Sequence, residues 1–499
     1  MEGQNIVDDN AEQAEVVCEN DVKIEIPRSK KHGELMKYHN PKLAVLREAV
    51  LQSLIIESSD CDTPLVCLDA STGSGVAGLQ WKKKCDKTVH VVTACTETDR
   101  VKTNCKLSGV KCAEWYLDPS HVTGQLPEIN ESKDEILVSP FHPNVVLRQE
   151  AFNFMLIHSN TSVALYTDSV FSNIRQNGVV CFLCPNIASQ CFRSPNLILR
   201  QFGSHVQKTE YVKELAVRVV IADMARAAAR YQKGIEVLYT MCLEDHFLIV
   251  IRAIKNHQQA VESMEKCRKI LHCLFCEERV MYPSMSSPIE DPYSLIPCDC
   301  KKSNPGKTAV ILGPMWTGNL YNVKYLHRLL KKVNDNNPKN KLCTLIQTMS
   351  TEAECRCESI LSNVSCVNKN GKCKFCEQTS HSKNGEPLEK RPKLDNDLKA
   401  NEEPNDNYVT ERCLCKEKCM KQKDSDEVLT NTEVIQDMPL FYYDLQKKKY
   451  SGFPKLDRVI TILRASGYRA SRTHFEHQAI RTNANLQQLH KVLVKVIKK

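Results

Sequence analysis

Residues 68–81 read LDASTGSGVAGLQW, and this stretch decides the fold that the sequence predicts. The apolar run 66–70 ends just after Asp69 and leads into a turn that contains Gly73 and Gly75. A strand that passes through a glycine turn into a helix lets the backbone approach a ligand closely and leaves free N–H groups at the helix start. We therefore take Asp69, Gly73 and Gly75 as candidate cofactor-binding residues.

The identity of that cofactor is open at this point, because the spacing G-x-G-x-x-G also matches a dinucleotide fingerprint and a purely structural turn would look the same. Asp69 favours S-adenosylmethionine (SAM), since an acid just before the glycines commonly orders the loop or the cofactor's amino acid through water. Either cofactor calls for an acid after the second strand, to bind the ribose hydroxyls. The second strand, VHVVTA (89–94), is followed by Cys95, and the nearest acid is Glu97.

Strand-like and helix-like stretches alternate on both sides of the glycine turn. The strand-like runs are 66–70, 89–94, FNFMLI (152–157) and VVCFLC (179–184), and they alternate with helix-like stretches. This alternation predicts a parallel sheet covered by helices. Two further apolar runs, 234–243 and 246–254, flank a short acidic turn and predict an antiparallel pair. A parallel sheet that closes with such a pair is how the common methyltransferase fold ends.

Four cysteines in two short motifs predict a metal site. Cys273-x2-Cys276 and Cys298-x-Cys300 provide four thiolates, which suits a structural, tetrahedral Zn²⁺ ion. Nine more cysteines lie between residues 343 and 419, where Cys373, Cys376 and the run 413–419 leave a second zinc site open. The same region contains EKRPKLD (389–395), which is either a nuclear import signal or a solvated charge run.

The distribution of charge singles out the C-terminal sixty residues. From Leu440 to Lys499 there are thirteen Lys or Arg residues against three acids, whereas the whole chain has a net charge of only +8. Such a local excess suggests a polyanion partner, most simply nucleic acid, with a solvated basic face as the alternative. The first twenty residues are acidic and lack the basic start of a secretory signal, and no apolar run approaches the ~18 residues of a membrane span.

Composition and periodicity divide the chain into five predicted parts. These are an acidic disordered tail (1–20), a sheet-containing domain (21–255), the zinc-binding part of a C-terminal domain (256–332), a disordered Cys-rich insertion (333–436) and a basic part (437–499). The predicted fold class is α/β, with a smaller α+β, zinc-containing domain on the C-terminal side.

Several longer motifs occur together in one known family. They are KYHNPKLAVLRE (37–48), DASTGSGVAGLQW, YVKELAVRVVIADMARAAARYQKGIEVLYTM, HCLFC with PCDC, GPMWTGNLYN and GYRASRTHF. Together they resemble the tRNA (guanine(26)-N(2))-dimethyltransferases, most closely the animal dimethyltransferase 1-like branch, over most of 20–330 and again over 439–485. The resemblance implies that SAM donates a methyl group to a tRNA guanine at the junction of the D arm and the anticodon arm, and that this base leaves the stack to react.

The resemblance implies that 21–255 form a Rossmann-like class I SAM-dependent methyltransferase domain. It implies that the smaller C-terminal domain binds RNA, with 437–499 as its tRNA-binding part. It also implies roles for individual residues. Arg47 matches an arginine beside the SAM site, and Asp118 matches an aspartate near the adenine. The four cysteines match a zinc site of the family. Three positions depart from the pattern: the arginine of the glycine turn falls on Ala77, the acid after the second strand on Cys95, and the catalytic D-P-[FY]-G loop on His-Ser-Asn-Thr at 158–161.

These departures leave two functions open. Guanine N2 is a poor nucleophile because its lone pair is delocalised, so a correctly placed hydrogen-bond acceptor supplies much of the acceleration. His158, if neutral, and Asn160 are the candidate acceptors. Three lost polar anchors at ~1–3 kcal/mol each would remove several powers of ten in rate. We expect either a tRNA guanine-N2 methyltransferase or a weak or inactive relative that binds structured RNA. The expected partners are tRNA and SAM for the enzyme, and tRNA or another structured RNA for the inactive relative. We expect no membrane partner, and we expect the protein in the nucleus or also in the cytoplasm.

Overall fold

The computed structural model describes most of the chain outside the predicted insertion. The described residues are 15–26, 39–71, 73–85, 88–116, 135–159, 162–282, 291–304, 306–336, 340–355, 440–446 and 455–497. The segment EKRPKLD, the second candidate zinc site and residues 1–14 lie outside these ranges. Within them, no helix is long and apolar enough to cross a bilayer.

The strands and helices are as follows. The strands are β1 (Glu15–Glu19), β2 (Val22–Ile26), β3 (Leu65–Ala70), β4 (Val89–Ala94), β5 (Lys111–Glu114), β6 (Glu135–Ser139), β7 (Phe154–His158), β8 (Val179–Pro185), β9 (Lys233–Leu243), β10 (His246–Lys255), β11 (Cys267–Cys273), β12 (Arg279–Met281), β13 (Ala309–Trp316), β14 (Tyr443–Asp444), β15 (Ala470–Arg472) and β16 (Ala479–Thr482). The helices are α1 (Ala44–Ser59), α2 (Val76–Cys85), α3 (Thr98–Ser108), α4 (Pro143–Gln149), α5 (Ala164–Asn173), α6 (Ile187–Arg193), α7 (Pro195–Phe202), α8 (Val212–Arg230), α9 (His257–Glu265), α10 (Cys300–Ser303), α11 (Val323–Asn336), α12 (Lys341–Glu354), α13 (Leu456–Ala465) and α14 (Leu486–Ile497).

An eight-stranded sheet forms the centre of the fold, in the order β5-β6-β4-β3-β7-β8-β10-β9. The six strands from β5 to β8 in this order are parallel, and β10 pairs antiparallel with both β8 and β9. This confirms the predicted α/β class, the four predicted strands and the antiparallel pair. The sequence reading missed β5 and β6, which are short and lie within a polar stretch.

The first described residues also fold, contrary to the predicted disordered tail. β1 pairs with β2 in an antiparallel hairpin, and Val22 and Ile24 on β2 are fully buried. Two apolar side chains on one face of β2 therefore pack into the core, and β1 is held next to them by backbone hydrogen bonds. Because β1 contains acidic residues, its composition indicated a disordered tail and not a strand.

The prediction that a disordered insertion begins at residue 333 is wrong for its first part. α11 continues through residue 336, and α12 packs against α11 and α1. Leu342, Ile346 and Met349 on α12 are fully buried, which is a helical stripe at i, i+4 and i+7. This single short stripe, followed at once by a long polar stretch, was too weak a pattern to be recognised as a core helix.

Two small antiparallel sheets, β12-β11-β13 and β14-β16-β15, form the C-terminal part with α13 and α14. Asn485 caps α14 by accepting a hydrogen bond from the Gln488 N–H at 2.9 Å. α8 packs against both β9 of the large sheet and β13 of the small one. The two parts therefore share one helix.

A buried group of charges joins three separate segments of the chain. Arg481 Nη2 lies 2.6 Å from Glu214 Oε2 on α8, and Arg481 Nε lies 2.7 Å from Glu352 Oε1 on α12. Burial raises the pKa of Glu352, but Arg481 and His474 outweigh it and hold this pKa at about 2. The Glu352 carboxylate is thus ionised at neutral pH. The two ion pairs of Arg481 hold the C-terminal segment against α8 and α12.

Candidate cofactor and substrate site

The glycine turn and the loop after β7 lie next to each other at the carboxyl edge of the large sheet. β3 and β7 are neighbours in parallel register, with Asp69 opposite Leu156 and Ala70 opposite Ile157. Parallel strands bring their carboxyl ends to the same edge, where α/β proteins bind ligands. The geometry therefore places a candidate cofactor site beside a candidate reaction site.

Asp69 holds the glycine turn in place through two hydrogen bonds to backbone N–H groups. Its Oδ1 accepts the Ser71 N–H at 3.0 Å and its Oδ2 accepts the Gly78 N–H at 2.8 Å. Burial raises the pKa of this fully buried carboxyl above its usual value, and hydrogen bonds from Ser71 and the backbone N–H of Gly78 offset only part of the rise. Asp69 therefore acts on the loop conformation, one of the two roles expected from the sequence.

The glycines are required by the conformation and by close packing. Gly73 and Gly75 have φ of 50° and 66°, in the left-handed region that favours glycine. A Cβ added at Gly78 would lie 2.8 Å from the Thr93 hydroxyl, so α2 can approach β4 only without a side chain there. These are the separate roles that the three glycines have in nucleotide-binding turns.

Buried polar atoms at this edge fit a polar ligand. Ser74 Oγ, between the two left-handed glycines, and Ser139 Oγ, at the end of β6, are buried and have no hydrogen-bond partner among the described residues. Buried hydroxyls normally have a partner, so unpaired ones at a nucleotide-binding turn are consistent with a ligand that supplies the missing bonds.

The end of β4 lacks the acid that would bind ribose hydroxyls. Cys95 is buried there, and its Sγ accepts the Glu97 N–H at 3.2 Å. Burial raises the pKa of the Cys95 thiol, so the thiol stays neutral and is a weak acceptor. The Glu97 carboxylate is exposed and lies 3.6 Å from Arg100 Nη1. Ala77, the other departure, is buried within α2 and adds no charge.

Arg47 lies at this edge, but it is bound to an acid that the sequence reading assigned to a disordered tail. Its Nε donates to Glu19 Oε1 at 2.7 Å, and its Nη2 donates to the Asn40 carbonyl at 3.0 Å. His39 and Gln80 also contact the Glu19 carboxylate, at 2.8 and 2.9 Å. Burial raises the pKa of Glu19, but His39 and Arg47 outweigh it and lower this pKa to about 2. Any contact of Arg47 with a cofactor would therefore use its remaining nitrogen.

His158 ends β7 at the predicted reaction site. Burial, followed by the charges of Arg47 and His246, lowers the pKa of His158 to about 4. The imidazole is therefore neutral at pH 7, which meets the condition for it to accept a hydrogen bond. The other predicted catalytic residue, Asn160, and the predicted adenine contact, Asp118, lie outside the described residues.

The loop after β6 was not singled out by the sequence, and the structure places it at the same edge. β6 is the direct neighbour of β4, so residues 140–142 follow the strand next to the candidate ribose position. The ring of His142 in this loop stacks on Tyr166 of α5, with centroids 5.7 Å apart and planes 13° apart. The run EILVS before PFHP was the available sequence signal.

The four cysteines predicted to bind zinc come together in the C-terminal part. The Sγ atoms of Cys273, Cys276, Cys298 and Cys300 all lie within 4.8 Å of one another. Cys273 ends β11, Cys276 lies in the following turn and Cys300 begins α10. Four clustered thiols suit tetrahedral Zn²⁺ and would tie two loops together.

Comparisons with known proteins agree with this geometry. A family model described as N2,N2-dimethylguanosine tRNA methyltransferase matches residues 20–354 and 339–494. The human protein named tRNA (guanine(27)-N(2))-dimethyltransferase is 32% identical over 92% of this chain, and its mouse counterpart is 31% identical over 96%. The chain spans 60% and 64% of the length of these two relatives. An archaeal tRNA (guanine(26)-N(2))-dimethyltransferase from Methanosphaera stadtmanae is 22% identical over 68% of the chain and 81% of its own length.

Among solved structures, Trm1 from Pyrococcus horikoshii in complex with S-adenosyl-L-methionine matches the fold. It aligns over 96% of this chain and 99% of its own, with a TM-score of 0.64 and 16% identity. Family model, sequence relatives and fold lead to one assignment: this chain belongs to the N2,N2-dimethylguanosine tRNA methyltransferase family.

Proposed function

We propose that this chain binds SAM at the carboxyl edge of the large sheet and methylates N2 of a tRNA guanine at the junction of the D arm and the anticodon arm. The observation that carries the proposal is the adjacency of the glycine turn and the end of β7. The junction is supported by the names of the relatives, which specify guanine 27 in mammals and guanine 26 in archaea.

The cofactor would be held by the glycine turn and the strand ends around it. Gly73, Gly75 and the unpaired Ser74 hydroxyl would contact the amino-acid and ribose parts. Arg47 and Asp118 remain proposed contacts, as the family resemblance implies, and Glu97 remains one as the nearest acid after β4. SAM supplies an electrophilic methyl group on its sulfonium.

Residues at the end of β7 would orient the guanine amine. His158 is neutral and accepts a hydrogen bond from the N2 amino group through one ring nitrogen, and Asn160 accepts one through its amide oxygen. Two acceptors hold the amino group so that the nitrogen lone pair faces the methyl donor. Orientation of this kind supplies a large part of the rate enhancement of group-transfer enzymes.

A second candidate function is RNA binding with weak or absent methyl transfer. Three observations favour it. Neither described residue of the loop after β7, His158 or Ser159, carries a carboxylate. Arg47 is bound to Glu19, and the residue after β4 is a neutral thiol. Each of these three features weakens a contact with SAM or with the guanine on which fast methyl transfer depends.

Methyl transfer to unmodified tRNA transcripts separates the two candidates. The enzyme would incorporate labelled methyl groups into wild-type tRNA, but not into a transcript whose junction guanine is replaced by inosine, which lacks the N2 amine. His158→Ala and Asn160→Ala would lower the single-turnover rate, whereas His257→Ala, on exposed α9, would not. Tight tRNA binding without incorporation would favour the second candidate.

The C-terminal part would contribute stability and RNA affinity. We propose that Cys273, Cys276, Cys298 and Cys300 bind one structural zinc ion and that the basic segment 437–499 binds tRNA. We also propose nuclear import through the basic residues of 389–395, with the cytoplasm as a second location. Replacing those basic residues with alanine in a fluorescent fusion tests this, since a nuclear signal that persists would contradict it.

A further inference from the structure

An open cleft of about 440 Å³ lies at the carboxyl end of β8, outside the residues assigned so far. It is lined by Asn186, Ser189, Gln190, Arg193, Ser194 and Asp245. Its volume lies within the range of small-ligand sites. All six lining residues carry polar side chains, which suits a nucleotide better than an apolar ligand. We call it the β8 cleft.

The β8 cleft lies one strand away from the proposed reaction site. His158 at the end of β7 is opposite Leu183 in β8, and Pro185 is opposite His246 in β10. Neighbouring strands are ~4.8 Å apart, so Asn186, which directly follows β8, lies at the same edge of the sheet as the end of β7.

One hydrogen bond from α6 orients the carboxylate of Asp245, and a second one, from the residue after β8, holds its backbone. The Ser189 hydroxyl donates to Asp245 Oδ2 at 2.6 Å, and the Asn186 N–H donates to the Asp245 carbonyl at 2.8 Å. Asp245 lies in the turn between β9 and β10, so these bonds hold the turn against the end of β8. Oδ2 keeps a lone pair and Oδ1 has no hydrogen-bond partner among the described residues. The carboxylate is thus oriented and can accept two more hydrogen bonds.

Arg193 supplies an unpaired positive charge to the lining of the β8 cleft. It is exposed, and no described acid forms an ion pair with it. Its guanidinium lies 5.7 Å from the ring centroid of Phe192, which is itself 38% exposed. A guanidinium held near an aromatic ring can bind a phosphate while the ring remains open for stacking.

We infer that the β8 cleft is a subsite for a guanosine nucleotide of the RNA substrate. The Asp245 carboxylate accepts the N1–H and one N2–H of guanine, and Arg193 binds a flanking phosphate. Guanine presents these two adjacent donors on its Watson–Crick edge, the edge by which flipped bases are read. Inosine lacks the second donor, and adenine lacks the N1 donor. This inference deepens the proposed function and rests on it for the identity of the RNA, but it concerns binding alone.

Binding of RNA trinucleotides to the full chain tests the inference without SAM. The probes are U-G-U, U-I-U with inosine, and U-A-U, together with free guanosine monophosphate. We expect U-G-U to bind at least tenfold more tightly than U-I-U or U-A-U. Asp245→Asn removes this preference, while Glu244→Gln, at the exposed neighbouring residue that pairs with Lys42, keeps it. Arg193→Gln weakens all three trinucleotides alike, and Arg200→Gln on exposed α7 does not.

A second variant keeps the test valid if Asp245→Asn fails to fold. Ser189→Ala removes only the hydroxyl that orients the carboxylate, and we expect it to reduce the preference for U-G-U severalfold. Equal binding of the three trinucleotides would overturn the inference, as would guanosine monophosphate binding as tightly as U-G-U. If the preference holds without SAM binding, the proposed function fails and the subsite stands. If methyl transfer occurs and Asp245→Asn leaves it and U-G-U binding unchanged, the subsite fails alone.

Discussion

Replacing Gly78 with alanine tests how closely α2 must approach the sheet. An added Cβ would lie 2.8 Å from Thr93 Oγ1, 3.2 Å from Asp69 Oδ2 and 3.2 Å from Val91 Cγ1. These neighbours are buried, so the side chain cannot be accommodated without moving α2. In a helix, alanine is otherwise favoured over glycine by about 1 kcal/mol. Overpacking costs about 1–3 kcal/mol, so we expect a net loss in the free energy of unfolding of about 1 kcal/mol.

A double-mutant cycle with Thr93→Ala separates the overpacking cost of the new Cβ from the gain in helix propensity. Thr93→Ala removes the atom closest to the new Cβ, so Gly78→Ala should be neutral or stabilising by up to about 1 kcal/mol in that background. The measurement is urea unfolding of the four proteins. The coupling energy should be about 1–3 kcal/mol. Gly78→Ala that stabilises equally in both backgrounds would refute the packing argument.

The same cycle has a second readout at the cofactor site. Because Asp69 Oδ2 binds the Gly78 N–H, a displaced α2 also disturbs the glycine turn. We expect SAM affinity to fall at least tenfold in Gly78→Ala and to recover in part in the double variant. If Gly78→Ala destabilises the protein but leaves its SAM affinity unchanged, then the glycine turn does not contribute to cofactor binding.

Four further predictions follow from the contacts and charges. His158 has a pKa near 4 in the folded chain and about 6.5 when unfolded, so the unfolded state binds more protons between these values. The free energy of unfolding should therefore fall by up to about 3 kcal/mol from pH 6.5 to pH 4, and His158→Gln should flatten this slope. Arg481→Met leaves two buried carboxylates without their shared cation and should destabilise the chain by about 3–5 kcal/mol in urea, against less than ~1 kcal/mol for exposed Arg472→Met. Elemental analysis should find one zinc per chain, lost in Cys276→Ser but kept in exposed Cys61→Ser; a folded, zinc-free wild type contradicts the site. The logarithm of tRNA affinity should fall linearly as the logarithm of the salt concentration rises. An affinity that does not change with salt would exclude the proposal that the basic segment 437–499 binds tRNA.

Sequence patterns predicted the elements whose signals are local. The glycine turn and the long apolar strands each carry enough periodicity or turn chemistry to be recognised in one stretch. The four cysteines have metal-ligand spacing in two short motifs. Asp69, Gly73 and Gly75 followed from the same turn, which lies at the end of β3, and their role in cofactor binding stays a prediction.

The features missed by the sequence depend on distant partners. Glu19 looks like one acid in an acidic tail until the fold brings it to Arg47, 28 residues away. α12 carries one short apolar stripe, and its partners on α1 are about 300 residues earlier. Asp245 and Ser189 are 56 residues apart and neither lies in a motif. Pairing between remote segments decides these cases, and no local pattern encodes it.

Calorimetric titration of the folded full chain with SAM tests the central claim most directly. We expect saturable binding at one site per chain, which Gly78→Ala weakens and Cys61→Ser leaves unchanged. A folded wild-type chain that takes up no SAM at millimolar concentration would contradict the claim that the carboxyl edge beside His158 is a methyl-donor site.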